Sequence, residues 1–276
     1  MPRPFRQVDV FTTTAYYGNP VAVVLDGSGL TTERMQHVAH WTNLSETTFV
    51  LPPTNPGADY QVRIFTPVVE LPFAGHPTLG TCHAWLEGGG TPHDPAMFVQ
   101  ECEAGLVRVR RTEDGLAFAA PPLLRSGPVD DAVVAHIADM LRLPVGDIVD
   151  AQWVDNGPGW VAVLLADADA VLAVRPGVVD LDVGVVGPYP PGSAAAFEVR
   201  AFTPKDGMTD EDPVTGSLNA SLADWLLRTG RAEAPYVASQ GAARGRAGRV
   251  HITRDDDGQI WVSGRTVTCV TGEIEL

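Results

Sequence analysis

Cysteine is scarce in this 276-residue chain: Cys82, Cys102 and Cys269 are odd in number and widely spaced. They build neither a disulfide framework nor a cysteine-rich metal site, and a reducing, cytoplasmic setting is the simplest expectation. Basic side chains are few as well, 19 against 34 acidic ones, for a formal net charge of −15. A surface of that sign repels nucleic acid and anionic membranes, so neither is expected as a partner. Long apolar runs are missing, and the stretch 159–166 is broken by Asp167 well short of a membrane span. Residues 1–11 lack the apolar core of a secretory signal. No glycine-rich phosphate loop follows a strand, so no nucleotide cofactor is announced.

What remains is an ordinary globular balance, 45% hydrophobic and 19% charged, in a length that suits one large domain or two of moderate size. Alternation predicts strands near 8–10 and 20–25 around a Gly18-Asn19 turn. Thr31 or Thr32 can cap a helix in which Met35, Val38 and Ala39 recur at helical spacing, ending near Asn43. Strands follow at 46–51 and 60–67. Gly75-His76-Pro77 then opens a helix with Leu79, Cys82 and Leu86 on one face, closed by Gly88-Gly89-Gly90. Strands dominate 97–119. The Pro-rich, aperiodic stretch 121–128 reads as a linker, dividing the chain into 1–122 and 123–276, with a C-terminal strand near 266–276 able to return to the first half. The second half reads as a helix at 129–143, strands near 151–155, 159–165 and 196–203, a helix from about 213 to 228, and strands over 247–276.

One internal echo outweighs the individual elements. The motif "VRIFTP" (62–67) recurs as "VRAFTP" (199–204), and each copy leads through a loop into a helix start rich in small residues. Two related halves are expected, with their helix starts on opposite walls of one cleft. Gly75-His76-Pro77-Thr78 and Thr215-Gly216-Ser217 both offer backbone N–H groups at a helix N-terminus, a ready site for an anion. The bland reading is plain capping by Thr78, Thr215 or Ser217. His76 stands apart from the other histidines by its place in such a loop, where its charge can be tuned near neutrality. Glu46 sits where a buried strand begins, with Ser45 and Asn43 as its polar company. Asp210 and Glu211 suit favourable charge at a helix N-terminus, whereas Asp212, next to Pro213, can face the cleft. Glu46 and Asp212 across a cleft would raise each other's proton affinity, which suits a carboxyl that takes and returns a proton. No nucleophile elbow, metal triad or redox motif competes with that chemistry. No cysteine stands at either helix start, and Cys82, on an apolar helix face, reads as a structural thiol.

The segments "DVFTTTAYYGNPVAVV" (9–24), "NLSETTFV" (43–50), "RIFTPVVELPFAGHPTLGT" (63–81), "EDPVTGSLNASLADWL" (211–226) and "QGAARGRAGRV" (240–250) resemble the phenazine-biosynthesis isomerases, the PhzF-like proteins, over nearly the whole chain. The resemblance implies an α+β fold of two pseudo-symmetric, diaminopimelate-epimerase-like halves. In each, a strongly curved sheet wraps a central helix, and the site lies in the cleft between them. It implies a cofactor-free, metal-free isomerase, commonly a homodimer, acting on a small anionic substrate. By the same resemblance Glu46, His76 and Asp212 are the catalytic residues, and Ser45, Gly75, Gly216 and Ser217 anchor the substrate. In the founding phenazine enzyme that substrate is trans-2,3-dihydro-3-hydroxyanthranilate, and a glutamate moves a ring proton from one carbon to another. An epimerase or racemase of an amino acid-like acid, and a non-catalytic metabolite- or protein-binding member of the fold, are the alternatives.

Overall fold

The computed structural model describes residues 1–276, which divide into two compact units. The first comprises residues 1–119 together with 263–276, and the second residues 120–262. The first unit runs β1 (Pro2–Val10), β2 (Asn19–Val24), α1 (Thr32–Thr42), β3 (Glu46–Leu51), β4 (Tyr60–Phe65), β5 (Glu70–Leu71), α2 (Gly75–Glu87), β6 (Met97–Cys102), β7 (Gly105–Thr112) and β8 (Gly115–Ala119). The second runs β9 (Arg125–Pro128), α3 (Asp131–Leu141), β10 (Asp150–Asp155), β11 (Val161–Leu164), α4 (Ala168–Ala173), β12 (Val183–Pro188), β13 (Phe197–Lys205), β14 (Met208–Asp212), α5 (Gly216–Arg228), β15 (Tyr236–Gln240) and β16 (Gly248–Arg254). Strand β17 (Ile260–Gly264) spans the boundary, and β18 (Thr266–Glu275) completes the first unit by pairing antiparallel with β1.

The two units repeat one pairing scheme. In the first, β1–β2 is antiparallel, β2–β3 parallel, β3–β4 antiparallel, β4–β5 a hairpin and β4–β6 parallel, followed by antiparallel β6–β7. In the second, the same succession is made by β10–β11, β11–β12, β12–β13, β13–β14, β13–β15 and β15–β16. The register repeats as well. Phe65 faces Glu70 across the first hairpin, and Phe202 faces Glu211 across the second. Each hairpin is followed, five residues after its glutamate, by the glycine that opens a 13-residue helix, Gly75 or Gly216.

Helix α2 is the hub of the first unit. It packs against β1, β2, β3, β6, β8 and β18, and every residue from Gly75 to Cys82 is buried. Gly80 makes that approach possible, since a Cβ there would lie 2.4 Å from a methyl of Val21 and 3.0 and 3.1 Å from methyls of Val8 and Val10. Helix α5 plays the same part in the second unit, buried from Leu218 to Ala223 and again at Trp225 and Leu226. Gly184 on β12 is the point of close approach there, its missing Cβ only 2.5 Å from Leu218. The peripheral α1 is amphipathic: Met35, Val38 and Ala39 join Val24, Phe49 and Phe65 in a core cluster. Its N-terminus is capped by Thr31, whose hydroxyl accepts the Arg34 N–H at 3.2 Å, and Asn43 closes it in the left-handed conformation at φ 53°.

Several expectations differ from what is found. Asn19 is not a turn residue; it opens β2 opposite Val10 and is fully buried. Half of the expected linker is strand, because residues 125–128 pair with β10. The helix expected from 213 starts at Gly216, because residues 208–212 are held as β14 on β13. For that reason Asp210 and Glu211 do not serve a helix dipole. Asp210 meets Lys205 at 3.1 Å, and Glu211 grips Arg200.

That grip is repeated in the two units. Arg63, the arginine of the first motif, donates Nε and Nη2 to the two carboxylate oxygens of Glu70 at 2.7 and 2.6 Å. Arg200, the arginine of the second, does the same to Glu211 at 2.8 Å through both nitrogens and also donates Nη1 to the carbonyls of Val171 and Val174. Bidentate pairs fix both partners in one geometry. Arg200 is only 4% exposed, so removing its carboxylate strands a desolvated charge. Glu211→Ala should therefore cost about 3 kcal/mol or more in denaturant unfolding, whereas Asp210→Ala, which breaks an exposed pair, should cost less than about 1 kcal/mol. Equal costs for the two would mean that the second hairpin does not depend on its clamp.

Candidate active site

The start of α2 is prepared by what precedes it. Ala74, extended at φ −149° and ψ 139°, is the N-cap residue and has no side-chain oxygen with which to satisfy the first turn. Thr78 does not do so either: its hydroxyl donates to the Ala74 carbonyl at 2.9 Å and accepts from Gln100 Nε2 at 2.9 Å. The start of α5 follows suit. Thr215 is its N-cap residue but makes no capping bond; its hydroxyl donates to Asp212 Oδ2 at 2.6 Å and accepts from Gln240 Nε2 at 2.9 Å. Ser217 Oγ accepts the Trp160 indole N–H at 3.1 Å. Plain side-chain capping is thus not what Thr78, Thr215 and Ser217 provide, and both helices begin with positive dipole ends formed without a capping oxygen.

Glu46 reaches the start of α2 through strand alternation. It is the first residue of β3, and Thr48, two residues on and therefore on the same face, touches α2 with its hydroxyl 2.8 Å from that of Thr81. The Glu46 side chain, 14% exposed, lies one step back along that face, and its Oε2 is 3.0 Å from His76 Nε2. The imidazole lies beside this oxygen and not in line with it, so Glu46 Oε2 is buried without a hydrogen-bond donor in spite of the short distance. The other ring nitrogen, Nδ1, is 3.2 Å from Asn19 Nδ2. An amide nitrogen can only donate, so Nδ1 accepts and the proton of the neutral imidazole sits on Nε2, the side of the carboxylate. Asn19, His76 and Glu46 thus form a buried row from one strand end through the helix start to another strand end. Ser45 lies in the bend just ahead of β3, half-buried, and Gly75 opens the helix itself.

The remaining nominated residues lie in the second unit. Asp212 ends β14, Gly216 opens α5, and Ser217 follows it as the counterpart of His76. Gln240 ties this end together: its Oε1 accepts from the Thr215 N–H and from Asn219 Nδ2, both at 2.9 Å, and its Nε2 donates to the Asp212 carbonyl at 3.2 Å. Asn156 Nδ2 donates to the Ser217 carbonyl at 2.9 Å. Gln100 and Gln240 are matched as their strands are, each on the parallel neighbour of a motif strand and each bonded to the fourth residue of its helix.

Asn19, Gln100 and Gln240 were not singled out in the sequence. For the glutamines a signal existed, a glutamine near the end of a strand following each helix. For Asn19 there was none, because an asparagine between glycine and proline reads as a turn. The other histidines with carboxylate partners are surface or rim residues: His93 bonds Asp59 at 2.7 Å, His136 meets Asp180 at 2.9 Å, and His83 meets Glu87 at 3.3 Å within one helix. Cys82 is fully buried, and burial pushes its thiol up to about 12, so it is no nucleophile near neutrality. No three His, Cys, Asp or Glu side chains converge in a metal-binding arrangement.

Comparison with known proteins adds a third line to the repeated register and the buried row. The phenazine biosynthesis-like protein family, PhzC-PhzF, matches residues 8–272. The chain is 33% identical to the trans-2,3-dihydro-3-hydroxyanthranilate isomerase of Pseudomonas fluorescens, over 98% of each chain. It is 32% identical to the antisense-enhancing sequence 1 protein of Schizosaccharomyces pombe, over 98% of this chain and 97% of the other. The structure superposes on a Bacillus anthracis phenazine biosynthesis protein of the PhzF family with a TM-score of 0.84 at 24% identity, covering all of both chains. The fold is the α+β, diaminopimelate-epimerase-like one. The family match over residues 8–272, and relatives that match almost from end to end, carry one conclusion: this chain belongs to the phenazine biosynthesis-like, PhzC-PhzF family.

Proposed function

We propose that this chain is a cofactor-independent isomerase that moves a proton on a small carboxylated substrate, with Glu46 as the general acid/base. The observation that carries the reading is the buried row of Asn19, His76 and Glu46, in which a carboxylate oxygen without a donor stands 3.0 Å from an imidazole of defined tautomer. Relatives named as isomerases of trans-2,3-dihydro-3-hydroxyanthranilate support the reaction class and suggest a substrate of that kind.

In this reading Glu46 takes a proton from a substrate carbon, the double bond shifts along the conjugated system, and the same proton returns at another carbon. Atoms and electrons balance with no outside reactant, and the protein ends as it began. His76, neutral and with its proton on Nε2, steadies the carboxylate as its charge comes and goes, and Asn19 holds the tautomer that makes this possible. The backbone N–H groups at the start of α2, with Gly75 allowing close approach and Ser45 beside Glu46, suit an anionic substrate oxygen. Asp212, Gly216 and Ser217 are proposed to serve the same reaction from the second unit, Ser217 and Gly216 by binding substrate and Asp212 as a further carboxyl. A homodimeric assembly is part of the proposal and is checked by light scattering on the purified chain.

Turnover of trans-2,3-dihydro-3-hydroxyanthranilate in deuterated water, followed by NMR, tests the assignment. Glu46→Gln should lower turnover by about 100-fold or more, in line with the loss of a general base, while ligand affinity stays within severalfold. A variant that keeps wild-type turnover would remove Glu46 from the mechanism. Deuterium entering with scrambled stereochemistry and no double-bond shift would instead identify an epimerase. Asn19→Leu removes the donor at His76 Nδ1 and lets the imidazole proton sit on either nitrogen. It should cost about 10-fold in kcat with the fold intact, as the tautomer is no longer held, and an unchanged kcat would dismiss the tautomer argument. Ser217→Ala should raise KM about threefold to tenfold with little change in kcat, the signature of lost uniform binding; an unaltered KM would remove Ser217 from substrate binding.

A further inference from the structure

The repeated register places a second carboxyl where Glu46 stands in the first unit. Thr47 on β3 lies opposite Phe65, the phenylalanine of the first motif, and Val183 on β12 lies opposite Phe202, the phenylalanine of the second. Val183 is therefore the counterpart of Thr47, and Asp182, one residue earlier, is the counterpart of Glu46. Alternation gives the direction of its side chain. In the first unit Thr48 touches α2, and Glu46, two residues before it, meets the helix start at His76. In the second unit Gly184, the counterpart of Thr48, abuts Leu218 in the first turn of α5. Asp182, two residues before Gly184, shares that face and lies toward the N-terminal end of the helix, where Gly216 and Ser217 are.

The surroundings of Asp182 are those of a carboxyl left open. It is half-buried, and neither a hydrogen bond nor an ion pair joins it to another side chain. The charge that acts on it is another carboxylate, Asp155 at the end of β10, whose Oδ1 is already taken by the N–H groups of Gly157 and Gly159 at 2.7 Å each. The first turn of α5 carries no acidic side chain, and Val161 and Phe202, the cross-strand partners of Val183, are apolar. Burial first, and Asp155 second, push the carboxyl up to about 6. At the same helix end Asn156 uses its Nδ2 on the Ser217 carbonyl, while its Oδ1 is buried without a partner. A proton-bearing acid and an open acceptor are thus gathered at one helix start.

We propose that Asp182 is a second proton-carrying carboxyl of the substrate site, donating a hydrogen bond in its neutral form to a substrate carboxylate at the N-terminal end of α5. The open Asn156 oxygen beside Ser217 suits an amino or hydroxyl donor on that same substrate. This inference rests on the reading that Gly216 and Ser217 bind substrate. It deepens that reading by assigning the side chain that meets the substrate carboxylate. Such a ligand holds the proton on Asp182, and raising the pH ionises the carboxyl and sets two like charges face to face.

The test uses anthranilate, a stable carboxylate with an adjacent amino group, and the full-length chain with 13C-labelled aspartate carboxyls. Asp182→Asn assigns the signal by its disappearance, and its thermal midpoint should be unchanged or raised, because the substitution relieves burial of a charge. The Asp182 signal should titrate near pH 6 in the free protein and move upward when anthranilate is present. Anthranilate affinity should fall roughly tenfold between about pH 6 and 8 in the unaltered protein and by less than about twofold in Asp182→Asn. A titration that anthranilate leaves unmoved, or the same pH dependence in both proteins, overturns the proposal. Neither readout is turnover, so failure here stays distinct from failure of the Glu46 assignment, which Glu46→Gln reads through turnover.

Discussion

In each unit an arginine on the central motif strand is gripped at two nitrogens by a glutamate on the next strand, and the position of the helix start that follows is set by that grip. Five residues separate Glu70 from Gly75, and five separate Glu211 from Gly216. Over so short a span, a fixed hairpin leaves the following chain little freedom in where its helix begins. The bidentate geometry matters more than the charge, because it fixes the angle as well as the distance between the two strands. Burial of Arg200, with two backbone carbonyls as further acceptors, makes the second clamp the more deeply committed of the two.

Once the helix starts are placed, the glycines bring them close to the sheet. Gly80 lets α2 lie against β1 and β2, and Gly184 lets α5 lie against β12. This close seat brings a residue at the beginning of β3 within reach of the second residue of α2, and so puts Glu46 beside His76. The first unit has used that seat for a carboxylate, an imidazole and an amide in one buried row. The second keeps the register but fills the same stations with Asp182 and Ser217. Two copies of one framework have thus become chemically unequal, a carboxylate beside an imidazole in one and a carboxyl with hydroxyl and amide neighbours in the other.

Much of this was legible in the sequence. The helices at 32–42 and 75–87 follow from apolar spacing and from Thr31, Asn43 and Pro77, whose preferences act within a few residues. The echo of "VRIFTP" in "VRAFTP" announced the duplication; Glu46 stood out as a carboxylate where a buried strand begins, and His76 by its place in a Gly-His-Pro loop opening a helix. The structure also shows what local preference hides. Pro213 is acceptable in the first turn of a helix, yet residues 208–212 are held as a strand by β13 and the helix waits until Gly216. Asn19 reads as a turn residue between glycine and proline, yet its partner His76 is 57 positions away and takes it into the core.

The chain by itself therefore determined the elements with strong period or clear caps, the twofold repeat, and the presence of a carboxylate and a histidine at junctions where buried elements begin. Tertiary structure alone decided which side chains meet. It set the tautomer of His76 through Asn19, turned Glu211 from a helix-dipole charge into the partner of Arg200, and left Asp182 without a partner at the mouth of α5. The physical reason is that helix and turn preferences are written in neighbours along the chain. Hydrogen-bond partners across a sheet, desolvation, and the charge a buried carboxyl feels depend on residues tens of positions apart, which only strand register brings together.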